Sequence, residues 1–548
     1  MTLLRVMAVA LPAIVGATLT AAAADNTPTL RGLVFVPDDG SFKRNGIALP
    51  AGAAVDLTRV TILDRDAFRA DMRALIGKPL AIATLSEIVP LATKVFEAAG
   101  RPLVNITIPE QDIGSGIVQV VVGEYRVGKV TIEGANHFSP ELYKRAIGAV
   151  PNETIDMPTM SVGLRQLNTS DYRSVEVGLQ PGGQSGTVDV TLRATERRPV
   201  TVSLGYDNAG STGTGRNQWT AGVGVANTVG TLDDTLSYQF LSSDFVNRRP
   251  SLLSHSLSYA LTVPRVGIFS LSGNYSTTRP LVDSFLTSLG QSTQVGARFT
   301  REVFGTEDTS FLVRAGFDYK STNNDLAFGG QTIANSVGRI GQFELAAILG
   351  AGDRWGRTDG SVSGIVSPGR LFGGNDDASF SRLSPTARAR YAYVRAEATR
   401  STNLPASFVW WTKATAQFAG QGLLASEQLN GGGVASARGY PTSTVRGDGG
   451  LMVSNELRFP GFGLTGLAGR DLMDRFQPYL FLDYAAVSAH RAAGTRSEDG
   501  TLTSFGPGVR IIVDRYVSLG LDTGVQLRTA GGQRYPGQFL DVSLTVRY

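Results

Sequence analysis

LSHSLSYALTV, residues 253–263, alternates with a period of two, interrupted on its apolar side only by His255. Leu253, Leu257, Tyr259, Leu261 and Val263 fall on one side, and Ser254, Ser256, Ser258, Ala260 and Thr262 on the other. Successive side chains of a strand point to opposite faces, so a period of two makes this a strand with one apolar and one hydroxyl-lined face. Residues 311–320 repeat the pattern, with Phe311, Val313, Ala315, Phe317 and Tyr319 opposing Leu312, Arg314, Gly316, Asp318 and Lys320. So does the end of the chain, where Leu540, Val542, Leu544, Val546 and Tyr548 alternate with Asp541, Ser543, Thr545 and Arg547. From 199 to 548 such segments recur between Gly, Ser, Asn and Asp turns, and no helix is expected among them. A soluble sandwich would turn its greasy face inward and keep compact loops. A membrane barrel turns it to lipid around a polar lumen, and needs no apolar run of helical length. Strands are expected to begin near 199, 217, 232, 253, 266, 291, 309, 338, 356, 388, 406, 451, 476, 502, 516 and 536. Sixteen is even, as a single-chain bacterial barrel requires.

Composition agrees. The 548 residues exceed one ordinary core, and 65 glycines, 42% hydrophobic residues and a mean hydropathy of zero suit a barrel. With no cysteine there are no disulfides, thiolate metal sites or thiol nucleophiles, and with only three histidines (His137, His255, His490) a His-rich metal site is not expected. A net charge of +4 is too small to argue for a nucleic-acid partner. No nucleotide, hydrolase or metalloprotease motif stands in a strand-to-helix context, so neither enzymatic activity nor a cofactor is expected. A Ser–His hydrolase built on His255 is disfavoured because His255 falls on the lipid side of its strand.

One stretch departs from the alternation: GGGVASARGYPTSTVRGDGGLMVSNELR, residues 431–458. Its glycines let it fold inward as a loop over 431–450, and Arg438-Gly439-Tyr440 forms its tip. A guanidinium in a partly dry lumen needs a carboxylate, and Tyr440 can pack beside it. Asp483, opposite Leu482 on the next strand but one, is the expected partner. Arg446-Gly447-Asp448 spells an integrin tripeptide, which three residues alone do not establish.

The N-terminus reads as a delivery signal. Met1 to Arg5 is basic, 6–20 is apolar, and Ala22-Ala23-Ala24 precedes Asp25, so 1–24 is a signal peptide and 25–51 a segment or linker. From 52 to 198 an α/β unit occurs twice, over 52–125 and 126–198. A strand is read ahead of the first unit, over 31–36; the unit itself reads as a strand over 58–63, a helix over 67–76, a second with a capping box at Thr84-Leu85-Ser86-Glu87 and a stop at Gly100, and strands over 103–108 and 117–122. The second reads as a strand over 127–133, helices over 140–147 and 157–167, and strands over 174–180 and 187–194. Each unit has a sheet edge to which an extended peptide could add as a strand.

Pro109-Glu110-Gln111-Asp112-Ile113 with Gly116, the repeated units and the 431–458 loop resemble the two-partner secretion transporters, the TpsB family. The resemblance implies two periplasmic POTRA domains before a 16-stranded barrel in the outer membrane of a Gram-negative cell. It implies a V-R-G-[YF] loop tip in the lumen, carried here by Arg438, Gly439 and Tyr440 with Ala437 in place of Val, and a salt bridge to Asp483. Gly447, Asp448 and Glu456 match the family's continuation of that loop, and Pro109, Gln111 and Gly116 its substrate-contact region. Tyr548 resembles the terminal aromatic assembly signal, which is more often Phe. The implied function is translocation of an unfolded, secreted β-helical exoprotein (TpsA-like) of haemolysin or adhesin type. Further implied partners are outer-membrane lipid and, during biogenesis, periplasmic chaperones and the barrel assembly machinery. The rivals are a BamA-type insertase, which carries more POTRA units, and a passive porin, which needs neither the α/β region nor the arginine loop. Many TpsB proteins plug the barrel with an N-terminal helix. Here 37–51 is the one candidate for a rearranged plug, and otherwise the arginine loop and other lumenal residues close the pore.

Overall fold

The structure, a computed structural model, describes residues 28–548 apart from 39, 212, 244–249, 281–285, 307, 329–330, 464–473, 492–498 and 530–538. The expected signal peptide, 1–24, lies outside the described residues, as does the expected strand start near 536. The chain divides into two compact units, up to Arg198 and from Pro199.

The first unit opens with β1 (Gly32–Pro37) and β2 (Val55–Asp56), then α1 (Asp66–Leu75), α2 (Ile82–Ser86), α3 (Ile88–Ala98), β3 (Val104–Thr107) and β4 (Ile117–Glu124). The sheet order is β2-β1-β4-β3, with β1 parallel to β4 and β3 antiparallel to it. Segment 25–51 is therefore not a linker. Its GLVFV run is buried on both faces, and Leu33 and Phe35 pack with Phe68, Met72 and Phe96 in one core. Nor is 37–51 a plug: Phe42, Ile47 and Leu49 lie against Val34, Val36 and Val121, and the Gln119 amide clasps Lys43 N (3.0 Å) and O (2.6 Å). The strand expected over 58–63 is a 3₁₀ turn at Thr61–Leu63. Asp56 accepts from Thr58 N, an Asx turn that ends β2 before the β-favouring residues begin. The capping box also fails, because Thr84 is buried within α2 and α3 starts after Glu87 with no side-chain cap.

A second sheet follows from β5 (Arg126–Glu133), α4 (Pro140–Ile147), α5 (Met157–Leu167), β6 (Arg173–Pro181) and β7 (Thr187–Glu196), ordered β5-β7-β6. Both helix starts are encoded locally: Ser139 and Asp156 accept from the N3 amides of Leu142 and Thr159, and Pro140 and Pro158 occupy the first turns.

The second unit is a closed antiparallel barrel of sixteen strands. They are β8 (Val200–Asp207), β9 (Gln218–Ala226), β10 (Asp233–Ser243), β11 (Leu252–Val263), β12 (Gly267–Thr278), β13 (Leu286–Gly305), β14 (Thr309–Phe328), β15 (Gln331–Asp353) and β16 (Gly356–Ser367). After a helix, α6 (Asp377–Leu383), come β17 (Tyr391–Asn403) and β18 (Val409–Ala419). A loop holding the short pair β19 (Leu429–Gly431) and β20 (Val445–Gly447) leads to β21 (Gly449–Arg458), β22 (Asp474–Ser488), β23 (Gly500–Val513), β24 (Val517–Gln526) and β25 (Phe539–Arg547). The helix corrects the expectation of an all-strand second unit; at seven residues, with one buried aromatic, it is too short for a periodic signal. β13 and β15 begin earlier than expected, at 286 and 331, because their hairpins continue past the apolar band that made the strands legible.

Closure joins β25 to β8 with Val546 opposite Leu204, and Tyr548 exchanges backbone bonds with Val202 at 2.8 and 3.0 Å. The last strand thus meets the first and closes the wall. Alternation sorts the wall: Leu257, Leu271, Leu345, Leu482 and Leu544 are exposed outward, whereas Asp318, Gln342, Glu456 and Asp483 are buried inside.

Candidate functional site: a loop folded into the lumen

The connection between β18 and β21 runs over 420–448, starting at 420 rather than at 431. β19 and β20 pair as a small ladder, and Gly431, Ala437, Tyr440 and Val445 rest against Ala485, Val487 and Leu502 of the inner wall. Gly432 and Gly433 have φ of 108° and 76°, which lets the chain reverse so that Gly433 N reaches Tyr440 O at 2.9 Å.

Arg438 sits at the tip with 4% of its surface exposed. Its backbone N and Nε donate to Asp483 Oδ2 at 3.0 and 2.8 Å, and Nη2 donates to Asp483 Oδ1 at 2.8 Å. This fork-on-fork pairing uses both carboxylate oxygens, a geometry that lysine cannot reproduce. Nη1 donates to Glu456 Oε1 at 2.9 Å, and Asp522 Oδ1 lies 3.6 Å away. The guanidinium carbon stands 3.8 Å above the Phe481 ring centroid. Asp483 is wholly buried because β22 turns Tyr479, Phe481, Asp483 and Ala485 inward and Leu480, Leu482 and Tyr484 outward. The structure thus brings together the loop arginine and the strand aspartate that the sequence paired.

Glu456, on β21, is 2% exposed and receives three guanidinium groups: Arg438, Arg458 (Nε, 2.8 Å) and Arg510 (Nη2, 2.9 Å). Arg458 stacks on Trp411, and Arg510 on Tyr479, whose hydroxyl donates to Asp522. Arg510 and Asp522 were missed as members of this cluster. Each occupies an inward position of its strand, so alternation together with a search for charged inward residues on β23 and β24 is the signal that finds them.

Gly439 takes φ +87°, and a Cβ there would lie 2.6 Å from Gly524 O. Gln526 donates to its carbonyl at 2.6 Å. Gly439→Ala is expected to add about 1–3 kcal/mol of backbone strain on top of that clash. Unseating of the tip should appear as a higher single-channel conductance with unchanged outer-membrane insertion. Tyr440 is buried, its hydroxyl 2.9 Å from Thr503 O and 2.8 Å from Arg528 O, rather than stacked on Arg438.

Gly447 lies in β20 against Ser488, where a Cβ would be 2.6 Å from the backbone oxygen. Asp448 is 1% exposed and accepts from Leu423 N, Gln428 Nε2 and His490 N at 2.7–2.8 Å. A carboxylate so enclosed cannot present an integrin-type tripeptide, so that resemblance carries no function.

A second buried carboxylate lies in the same loop, and no sequence pattern marks it. Glu427, 1% exposed, accepts from Lys320 Nζ (2.7 Å), Ser426 Oγ (2.9 Å), Tyr393 OH (2.9 Å) and Gln342 Nε2 (3.1 Å). Burial pushes this carboxyl up, but Lys320, Ser426 and Tyr393 more than offset that and hold it below the ordinary carboxylate value. Above it, Phe380 of α6 packs with Ile340, Tyr391, Leu423 and Leu424 in an apolar cluster inside the barrel.

The remaining expected residues lie elsewhere. Gln111 donates to Gln119 O (2.8 Å) and accepts from Gln119 N (2.7 Å), so its amide continues the ladder of β4 where β3 stops at Thr107. It also reaches Pro109 O at 3.2 Å, and Gly116, with φ +78°, accepts from Arg31 N and Gly32 N. The Gln111 side chain is therefore engaged within its own unit. Gln111→Ala should cost about 1–3 kcal/mol by leaving Gln119 backbone groups unsatisfied, seen as earlier unfolding of the N-terminal unit in denaturant with the barrel unchanged. Tyr548 is 79% exposed on the outward face, next to Val202 of the first barrel strand. Among the described residues no cluster of His, Cys, Asp and Glu could hold a metal ion.

A closed sixteen-stranded antiparallel barrel, exposed apolar residues outside and a polar loop locked in its lumen, defines a class, the transmembrane β-barrel proteins. Residues 186–511 match the family described as haemolysin secretion/activation protein ShlB/FhaC/HecB, and the chain belongs to that family. It is 25% identical over 418 residues to the outer membrane transporter CdiB of Escherichia coli O6:K15:H31 (strain 536 / UPEC), covering 74% of this chain and 68% of that one. CdiB of Dickeya dadantii (strain 3937) is 24% identical over 404 residues. In fold the chain is similar to the solved CdiB from Escherichia coli, with a TM-score of 0.78, 18% identity, and 97% and 93% of the two chains covered. BamA from Haemophilus ducreyi lacking POTRA domains 1-3 is similar at a TM-score of 0.50 and 14% identity. The protein is an outer-membrane transporter of two-partner secretion, with an N-terminal region resembling POTRA domains in the periplasm.

Proposed function

We propose that the chain captures the unfolded N-terminal segment of one secreted, β-helical exoprotein on its N-terminal unit and threads it through the barrel. In this reading 28–125 and 126–198 act as two POTRA domains. β6 is the best-suited capture edge. The Asn168 side chain exchanges bonds with Val175 N and O, so Val175 faces away from β7, and by alternation Val177 and Leu179 do too. β5 is less available, since Val127 N donates to Glu153 O and Val127 O accepts from Asn152 N. Val177→Pro removes one outward N–H without touching the β7 ladder. It should abolish co-purification of a partner's N-terminal segment while the protein still folds; retained capture would reject this edge.

The observation that carries translocation is the lumenal loop with its Arg438–Asp483 fork, a polar latch inside a closed wall. In this reading the loop moves aside from the inner wall to open a path for an extended chain. Folding of the partner outside supplies direction, because nothing rebinds once folded. Tyr548, on the closing strand, is the proposed recognition residue for the barrel assembly machinery after delivery by periplasmic chaperones. Secretion of a co-expressed exoprotein into the medium tests the whole reading. An insertase would instead change the assembly of other barrels, and a porin would change neither.

A further inference from the structure

The connection between β16 and β17, residues 368–390, touches both sides of the barrel wall. β16 stops pairing with β15 at Val366 opposite Phe343, which leaves the outer part of β15 without its neighbour. The connection takes that place: Arg339 N donates to Gly374 O at 3.0 Å, and Asn375 Nδ2 donates to Arg339 O at 2.9 Å. Alternation then fixes the side each residue occupies. Ile340 and Gln342 of β15 are buried in the lumen, and Phe380 and Leu383 of the connection meet Ile340 and Gly338 there. Gly341 points the other way, with Phe343 and Leu345, which are exposed to lipid. Its neighbours are Leu371 and Phe372, whose atoms lie 2.8 Å from a Cβ built on it, and Phe372 meets the Tyr319 ring edge-on at 5.2 Å. Tyr319 is the register partner of Gly341 on the outward face.

Leu371 and Phe372 are 42% and 41% exposed, and they extend the lipid-facing band of the barrel at its outer rim. The connection as a whole carries four arginines against two aspartates, and one of the arginines, Arg370, is next to Leu371 in the chain. Both aspartates are engaged by backbone: Asp376 caps Ser379 N (2.9 Å), and Asp377 accepts from Ala389 N (2.8 Å). Arg370, Arg388 and Arg390 are exposed and, among the described residues, have no carboxylate partner. An apolar pair continuous with the lipid surface, with the exposed Arg370 next to it in the chain, fits an anionic, acylated lipid, chains on Leu371 and Phe372 and headgroup phosphate on Arg370.

We propose that residues 370–372 bind a phosphorylated glycolipid of the outer leaflet and thereby couple the membrane to the lumenal gate. The coupling runs through α6. Phe380 shares its apolar cluster with Leu423 and Leu424, which lead into the loop that holds Glu427 and Arg438. The clip and the gating loop are thus packed as one body, with the lipid site on its outer side. This inference rests on membrane insertion of the barrel, not on the capture mechanism, so its failure leaves the secretion reading intact.

The test uses the full chain in neutral phosphatidylcholine vesicles, alone, with lipopolysaccharide, with lipopolysaccharide stripped of its phosphates, or with free inorganic phosphate. Retained lipid is read by native mass spectrometry and gating by single-channel recording. The unsubstituted protein should retain lipopolysaccharide and spend less time open in its presence, and the phosphate-free lipid and free phosphate should do neither. Arg370→Glu should weaken retention by at least about fivefold, the factor for one headgroup-facing charge. The double change Leu371→Ser, Phe372→Ser should remove the gating response. If both variants retain the lipid and gate as the parent does, the site is refuted. If free phosphate alone reproduces the closure, the acyl half of the proposal falls. Should the double variant unfold early, Arg370→Glu, a surface change, still decides the matter.

Discussion

Arg438→Ala should abolish secretion of a co-expressed exoprotein while the barrel remains in the outer membrane. The substitution strips Asp483 of two side-chain donors and Glu456 of one, inside a site where both carboxylates are almost fully buried. Only the backbone N–H of residue 438 survives, and the loop has no longer a reason to hold it there. Leaving a buried charge without its partner costs about 3–5 kcal/mol, enough to release the tip of the loop from the wall. The barrel ladder does not pass through residue 438, so heat-modifiable migration and surface labelling should be unchanged. Conductance should rise and become noisier. Arg438→Lys should fall between, because an ammonium restores charge but not the fork. Normal secretion by Arg438→Ala would remove the latch from the mechanism.

Glu427→Ala should have the next largest effect, and of a different kind. It leaves the Lys320 ammonium, 15% exposed at the side chain, without its carboxylate, and frees the Tyr393 and Gln342 donors. Loss of one partner from such a buried pair again costs about 3–5 kcal/mol. Because Glu427 O also accepts from Arg395 (3.3 Å) and Gln417 (2.9 Å), the backbone anchor persists, and the loop should loosen at its first limb while Arg438 stays seated. Conductance should therefore show a new substate rather than the large, noisy openings of Arg438→Ala. Acid should mimic the substitution. A carboxyl held below its ordinary value in the folded state stabilises fully above the unfolded value, about 4.3, and the contribution is lost as pH falls through the folded one. The wild-type substate should thus be absent at pH 7 and emerge only in strong acid, whereas Glu427→Gln should show it at both.

The two latches differ in how visible they were. Arg438 and Asp483 could be paired because each stands out against a regular background: an arginine in a glycine-rich loop, and an aspartate between outward leucines on a clear strand. Glu427 has no such background, and its four partners come from β14, β15, β17 and its own neighbour, positions up to 107 residues away in sequence. The same holds for Gln111, whose family-like setting suggested substrate contact but whose amide proves to be spent on Gln119.

The barrel itself was written in the sequence, because lipid on one side and water on the other impose a period of two on every strand, and sixteen such strands demand closure. Local chemistry also set the ends of α4 and α5, through Ser139, Asp156 and the prolines that follow them. What local pattern could not carry was anything decided by close approach of distant segments. That the strand expected over 31–36 sits at the centre of the first sheet and not in a segment ahead of it, that α6 drops into the lumen and that 371–372 stay outside all depend on which neighbour is left unpaired. Periodicity reports the two faces of a strand; only the closed wall decides which loop crosses it, and where each buried charge meets its partner.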